Sequence, residues 1–174
     1  VALINSEHRT PATLATWPQP KPYVELATDK DQVYYVDYDM VQTELMLMSK
    51  GAEFNVDNMA YSSLFNEYFG SGLSSIVFQE IRESKALAYS AYAAYTMPGK
   101  KEEASYVRAY VGTQADKLAD AETALSALMN DMPADEKMFE GSKDAALKKI
   151  ESSRTTKEAI YWSWESAQRR GLNE

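Results

Sequence analysis

The chain has 174 residues, 45% hydrophobic and 25% charged, which is enough for one buried core and excludes a disordered or collagen-like chain. Its 18 Lys+Arg stand against 26 Asp+Glu, and the resulting net charge of -8 repels phosphate backbones and anionic membrane surfaces, which argues against a nucleic-acid partner. With no cysteine and one histidine, disulfides, thiolate zinc sites and thiol catalysis are excluded. His8 alone cannot furnish the two or three imidazoles of most catalytic zinc sites.

Residues 1–22 contain Pro11, Pro18, Pro20 and Pro22 among small polar residues. That density predicts extended backbone and a linker, with His8 solvated and Trp17 its large apolar anchor, leading into one domain over 23–174. No stretch is long and apolar enough to span a membrane, and no signal peptide is evident. The chain opens on Val1 and closes on a predicted helix end, as expected of a piece of a larger protein. Zero cysteines accord with a bacterial periplasmic or surface setting without requiring one.

Val33–Tyr38 is rich in β-branched and aromatic residues and predicts a strand; Thr43–Met48 predicts a second, ended by Gly51. Asn55 or Asp57 can cap a helix with an apolar face of Val56, Met59, Ala60, Leu64 and Tyr68. Gly70-Ser71-Gly72 breaks it, and Ser74 or Ser75 starts another helix with Val77, Phe78 and Ile81 on one side. Leu87–Tyr95 and Ser105–Val111 predict two strands of an antiparallel hairpin around Pro98-Gly99. Three helices close the chain. The first follows a Thr113–Asp116 capping box and carries Leu118, Ala121, Leu125 and Leu128; the second follows Pro133 and holds Met138, Ala145 and Ile150. The last follows a Thr155–Glu158 capping box and holds Ile160, Trp164 and Ala167. The order predicts an α+β fold, a largely antiparallel sheet with helices packed on one face.

Few residues carry an obvious chemical signal. Gly70-Ser71-Gly72 follows a helix rather than a strand and lacks a following Gly-Lys, so it reads as a helix–helix turn and not a phosphate loop. Glu80, Glu83, Glu102 and Glu103 lack a spacing that would pair two beside a histidine, and read as solvated surface. The 12 tyrosines fall mostly in predicted strands, where they suit a half-buried pleat.

One stretch is far more specific. Leu64-Phe65-Asn66-Glu67-Tyr68-Phe69-Gly70-Ser71-Gly72-Leu73-Ser74-Ser75-Ile76-Val77-Phe78-Gln79-Glu80-Ile81-Arg82-Glu83-Ser84-Lys85-Ala86-Leu87-Ala88-Tyr89-Ser90 resembles the second, zinc-free domain of the M16 peptidases, the insulinase, pitrilysin and mitochondrial processing peptidase family. Members show a helix ending in Phe-Gly-Gly-Gly or similar, then Ser-Ser, then Phe-Gln-Glu-Ile-Arg-Glu, then Leu-Ala-Tyr entering a strand. Gln42-Thr43-Glu44-Leu45 also looks like the family's Gln-containing strand, and the resemblance covers roughly residues 23–170. Two departures stand out: Ile76 occupies an often basic position, and Ser84-Lys85-Ala86 replaces a Gly-containing turn.

The resemblance implies that the catalytic zinc is bound by a His-x-x-Glu-His motif in another domain or subunit, since this sequence lacks that motif. This chain would bind no cofactor of its own and would be inactive alone. Its expected partners are the zinc-bearing M16 half and a peptide substrate. The second domain of active relatives supplies an Arg and a Tyr seven residues apart to the substrate backbone, and Arg82 and Tyr89 match that spacing. A guanidinium and a phenol are donors suited to a carbonyl oxygen gaining charge. Local sequence alone instead suits Arg82 paired with Glu80 or Glu83 and Tyr89 packed in the core. The alternative function is an inert structural domain completing an M16-like clam-shell.

Overall fold

The computed structural model describes residues 2–9, 11–13, 15–16, 18, 21 and 25–172. They belong to two units, Val1–Gln32 and Val33–Glu174. In the first, helix α1 (Ala2–Glu7) forms upstream of Pro11, and Ser6 Oγ donates to Leu3 O at 2.8 Å. Extended backbone therefore fails as a description of these residues, because a proline constrains itself and the residue before it, not a segment several positions upstream. The described side chains of this unit are exposed, His8 included, while Trp17, Pro20 and Pro22 lie outside the described residues.

Three strands, β1 (Gln42–Glu53), β2 (Ser90–Thr96) and β3 (Ala104–Gln114), form a sheet of order β1-β3-β2 with both ladders antiparallel. The expected β2–β3 hairpin is present, with Ala91 opposite Val111 and Ala93 opposite Ala109. On the other side of β3, Leu45 lies opposite Val111 and Leu47 opposite Ala109. Gly51 does not end β1; the register shifts between Lys50 and Glu53, and a Cβ on Gly51 would sit 3.3 Å from Ser105 O. The missing side chain lets the irregular stretch lie close against β3, so the strand bends and continues.

Val33–Tyr38 is not a strand. Val33, Tyr34, Tyr35, Val36 and Tyr38 are each at least 75% exposed, and the sheet's ladders among the described residues join only β1, β2 and β3. Strand propensity reports a fit to a half-buried pleat, and without a flanking ladder that preference has nothing to act on.

Helix α2 (Asn58–Phe65) widens into a π-helical turn, Asn66–Gly70. Asn55 closes its entry by accepting the Asp57 amide at 2.9 Å, and Asp57 makes no capping bond of its own. Of the apolar face predicted for it, Tyr68 is buried and Met59 and Leu64 are half-buried, whereas Val56 and Ala60 are exposed; Ser62 and Phe69 are buried beside them. Val56 precedes the first helical residue and so does not follow the phase of the helix. Gly70 then packs so tightly on β2 that a Cβ would meet Ala93 O at 2.0 Å, and Gly72 adopts φ +110°. The helix–helix turn is thus built on glycine at both positions. Ser75 donates to Gly72 O at 2.9 Å, ahead of a second π-helical segment, Phe78–Ser84.

A 3₁₀ turn (Ala115–Lys117) leads into α3 (Leu118–Asn130), followed by α4 (Glu136–Ser152) and α5 (Ile160–Arg170). Neither capping box forms. Thr113 stays in β3, buried, and spends its hydroxyl on Leu87 O. The Glu158 carboxylate takes its own amide and the Thr156 hydroxyl, which together hold its pKa below the usual carboxylate value. The α3 stripe buries Ala121, Leu125 and Leu128 as predicted, whereas Ala145 and Ile150 of α4 are exposed and only Met138 of the predicted trio packs on the core. Asp135 caps α4 through the Met138 amide at 2.8 Å.

The core lies between one sheet face and the helices. Phe69, Ile76, Val77, Ile81 and Leu125 meet Ala91, Ala93, Ala109 and Val111, with Leu45 and Leu47 at the margin. Glu44, Met46, Met48, Tyr92, Arg108 and Tyr110 alternate with those residues and occupy the opposite face. The α+β architecture read from the sequence is the one observed.

Candidate functional site

Arg82 leaves the second π-helical segment two residues before its end, and Tyr89 stands immediately before β2. Four interactions fold the intervening chain back. Leu87 N donates to Ile81 O at 3.0 Å, Tyr89 N to Gly112 O at 3.0 Å, Lys117 Nζ to Ala86 O at 3.3 Å, and Thr113 Oγ1 to Leu87 O. Ala86 makes the reversal at φ +48°, a left-handed conformation that is costly for a residue with a Cβ. This is the position where the sequence departs from a Gly-containing turn.

The reversal brings the two candidate residues together at one rim of the fold. The Arg82 guanidinium carbon lies 4.8 Å from the centre of the Phe78 ring and 5.8 Å from that of Tyr89. Cation–π attraction to two rings restricts where the guanidinium can point while leaving its N–H edge available. The Arg82 side chain is 39% exposed and its contact with Glu83 is long, Nε to Oε1 at 3.7 Å, so the pair contributes little. Tyr89 is 75% exposed and does not pack in the core. The sequence places Phe78 on one side of its helix with Val77 and Ile81; its spacing of four residues from Arg82 is the signal that it can support the guanidinium.

The neighbouring sheet face carries a second polar group. Gly112 lies between Glu44 on β1 and Ser90 on β2. The Tyr110 hydroxyl and Ser90 Oγ both occupy space that a Cβ on Gly112 would enter, each 2.9 Å from that position. Burial first, and then the Glu44 carboxylate, push the Tyr110 phenol above its ordinary value, while the Ser90 hydroxyl pulls the other way. The phenol and the Ser90 hydroxyl thus lie side by side over Gly112, with the Glu44 carboxylate near enough to act on the phenol. The Tyr110 ring stacks on Tyr92 with centroids 5.1 Å apart and planes 22° apart.

Among the described residues, no group of three or more His, Asp or Glu side chains is disposed to hold a metal ion, and Glu80, Glu83, Glu102 and Glu103 form no such cluster. The donors present do not fit a catalytic zinc. No helix among the described residues is long and apolar enough to cross a membrane.

The sequence model of the family described as the peptidase M16 inactive domain matches residues 3–145, most of the chain. The chain belongs to that family. The M16 inactive domain is 34% identical over 77 residues, 44% of its length, to a Bacillus subtilis protein described as the uncharacterized zinc protease YmxG. Among solved structures, it resembles a peptidase M16 inactive domain from Pseudomonas fluorescens with a TM-score of 0.60 at 20% identity, and a protease from Helicobacter pylori with a TM-score of 0.63 at 14% identity. Each alignment covers 78% of this chain, and at such identities the likeness shows the fold. The M16 domain described here spans 18% of the B. subtilis protein and 32% and 33% of the two solved chains.

Proposed function

We propose that this domain is the substrate-binding, zinc-free half of an M16-type metallopeptidase that hydrolyses extended peptides. Arg82 and Tyr89 donate to the scissile carbonyl and stabilise the charge that develops on its oxygen. The zinc and its His-x-x-Glu-His motif belong to another domain of the same polypeptide or to a partner subunit, and supply the activated water. What supports the reading is the shared rim: a guanidinium restricted by two aromatic rings lies beside an exposed phenol, with neither group consumed by the core. Donors fixed in advance of the reaction stabilise an oxyanion without reorganising when it forms.

The test is peptide hydrolysis by the full-length protein with its zinc-bearing half, comparing wild type with Arg82→Ala and Tyr89→Phe. Each substitution is expected to lower kcat by about 100- to 1,000-fold, the usual effect of deleting one oxyanion donor. Unchanged turnover in both would overturn the reading and leave a structural domain that completes the clam-shell.

A further inference from the structure

The reversal between Arg82 and Tyr89 is strained, and it is held from outside. Ala86 sits at φ +48°, a region that a residue with a Cβ keeps only where its surroundings impose it. The peptide unit joining Ala86 to Leu87 is bonded at both ends: its carbonyl accepts from Lys117 Nζ at 3.3 Å, and its amide donates to Ile81 O at 3.0 Å. The next carbonyl, Leu87 O, accepts from Thr113 Oγ1.

These bonds attach the turn to two different elements. The bond to Ile81 O ties it to the helical segment that carries Arg82, at the residue before it. The bond from Tyr89 N to Gly112 O ties the phenol-bearing residue to β3. Thr113 directly follows Gly112 on that strand, so its hydroxyl links the two attachments through the single residue Leu87. Thr113 is 2% exposed, which keeps water from competing for the hydroxyl, whereas the Lys117 bond is exposed and water can replace it at little cost. The side chain lies on the core-facing side of β3 with Ala109 and Val111, and its hydroxyl is the polar group there that reaches the turn.

We infer that Thr113 is a positioning residue of the Arg82–Tyr89 pair. Its hydroxyl, acting through Leu87, fixes where the guanidinium lies relative to the phenol, and it touches no substrate itself. The effect on hydrolysis rests on the proposed carbonyl-holding role; the effect on geometry does not.

The test uses the full-length protein with its zinc-bearing half. Thr113→Val keeps the shape of the side chain and removes the hydroxyl, while Thr113→Ser keeps the hydroxyl. Thr113→Val is expected to lower kcat for peptide hydrolysis by about 10- to 100-fold, the scale of a small displacement of a reacting group, and Thr113→Ser to stay within about threefold of wild type. Leu128→Ala, near the far end of α3, controls for lost stability and should keep kcat. The geometry is read separately, from the Nε–H resonance of Arg82 in protein isotopically labelled at arginine. Tyr89→Leu removes a ring centred 5.8 Å from the guanidinium carbon and is expected to shift that resonance in wild type but not in Thr113→Val. If Arg82→Ala and Tyr89→Phe impair hydrolysis, wild-type kcat in Thr113→Val would overturn the assignment, as would an equal loss in Thr113→Ser or Leu128→Ala. A Tyr89 effect on the Arg82 resonance that survives in Thr113→Val would overturn it too. If Arg82→Ala and Tyr89→Phe leave hydrolysis unchanged, the carbonyl-holding role fails, and the Arg82 resonance by itself decides the role of Thr113.

Discussion

The two faces of the sheet are made by alternate residues of the same strands, yet they solve different problems. Toward the helices the strands present Ala91, Ala93, Ala109 and Val111, small enough for Phe69, Ile76, Ile81 and Leu125 to reach the sheet and for Gly70 to lie against Ala93. Away from the helices they present Glu44, Met46, Tyr92 and Tyr110, large or polar groups that are exposed or half-buried. Close packing explains the composition of the first face; the second is free of that constraint.

That contrast is sharpest in truncations of matched size. Leu125→Ala removes a fully buried side chain and is expected to lower unfolding stability by about 3 kcal/mol, whereas Met48→Ala on the open face should change it by less than about 0.5 kcal/mol. Urea unfolding of the two variants measures both, and a similar loss in each would mean that the open face is packed in solution. The rim between the faces offers an intermediate case. Ala86→Gly relieves the left-handed strain at φ +48° and is expected to stabilise by about 0.5–1 kcal/mol after the entropy of glycine is offset, seen as a higher Tm. A lower Tm would show that the turn is not strained.

The smallest effect is in pH dependence. The Tyr110 phenol ionises above its ordinary value of 10.0 in the folded protein, chiefly through burial, so stability is complete below pH 10 and declines as pH rises through the folded value. Tyr110→Phe should flatten that alkaline decline in urea midpoints measured across the range. An unaltered slope would separate Tyr110 from it.

Much of the covered face was legible in the sequence. The hairpin, the α3 stripe, the turn at Gly70–Gly72 and the order of elements follow from alternation, helical spacing and glycine placement, and the motif from Leu64 to Ser90 located Arg82 and Tyr89. Thr113 and Asp116 satisfy a capping pattern, but the Thr113 hydroxyl is taken by the carbonyl of Leu87, in the turn that leads into β2. Val33–Tyr38 has strand composition but no ladder. Val56 matches the spacing of α2 but precedes its first residue and stays exposed.

The sequence by itself determined which residues could be buried, where the chain must turn, and which family pattern it carries, because those depend on side-chain size, φ freedom and short-range spacing. Only the tertiary structure decided that Phe78 supports Arg82, that the turn at Ala86 brings Tyr89 beside that guanidinium, and that Tyr110 and Ser90 meet over Gly112. Those groups come from separate strands and a helix, and the register between strands is fixed by the whole core rather than by any one of them.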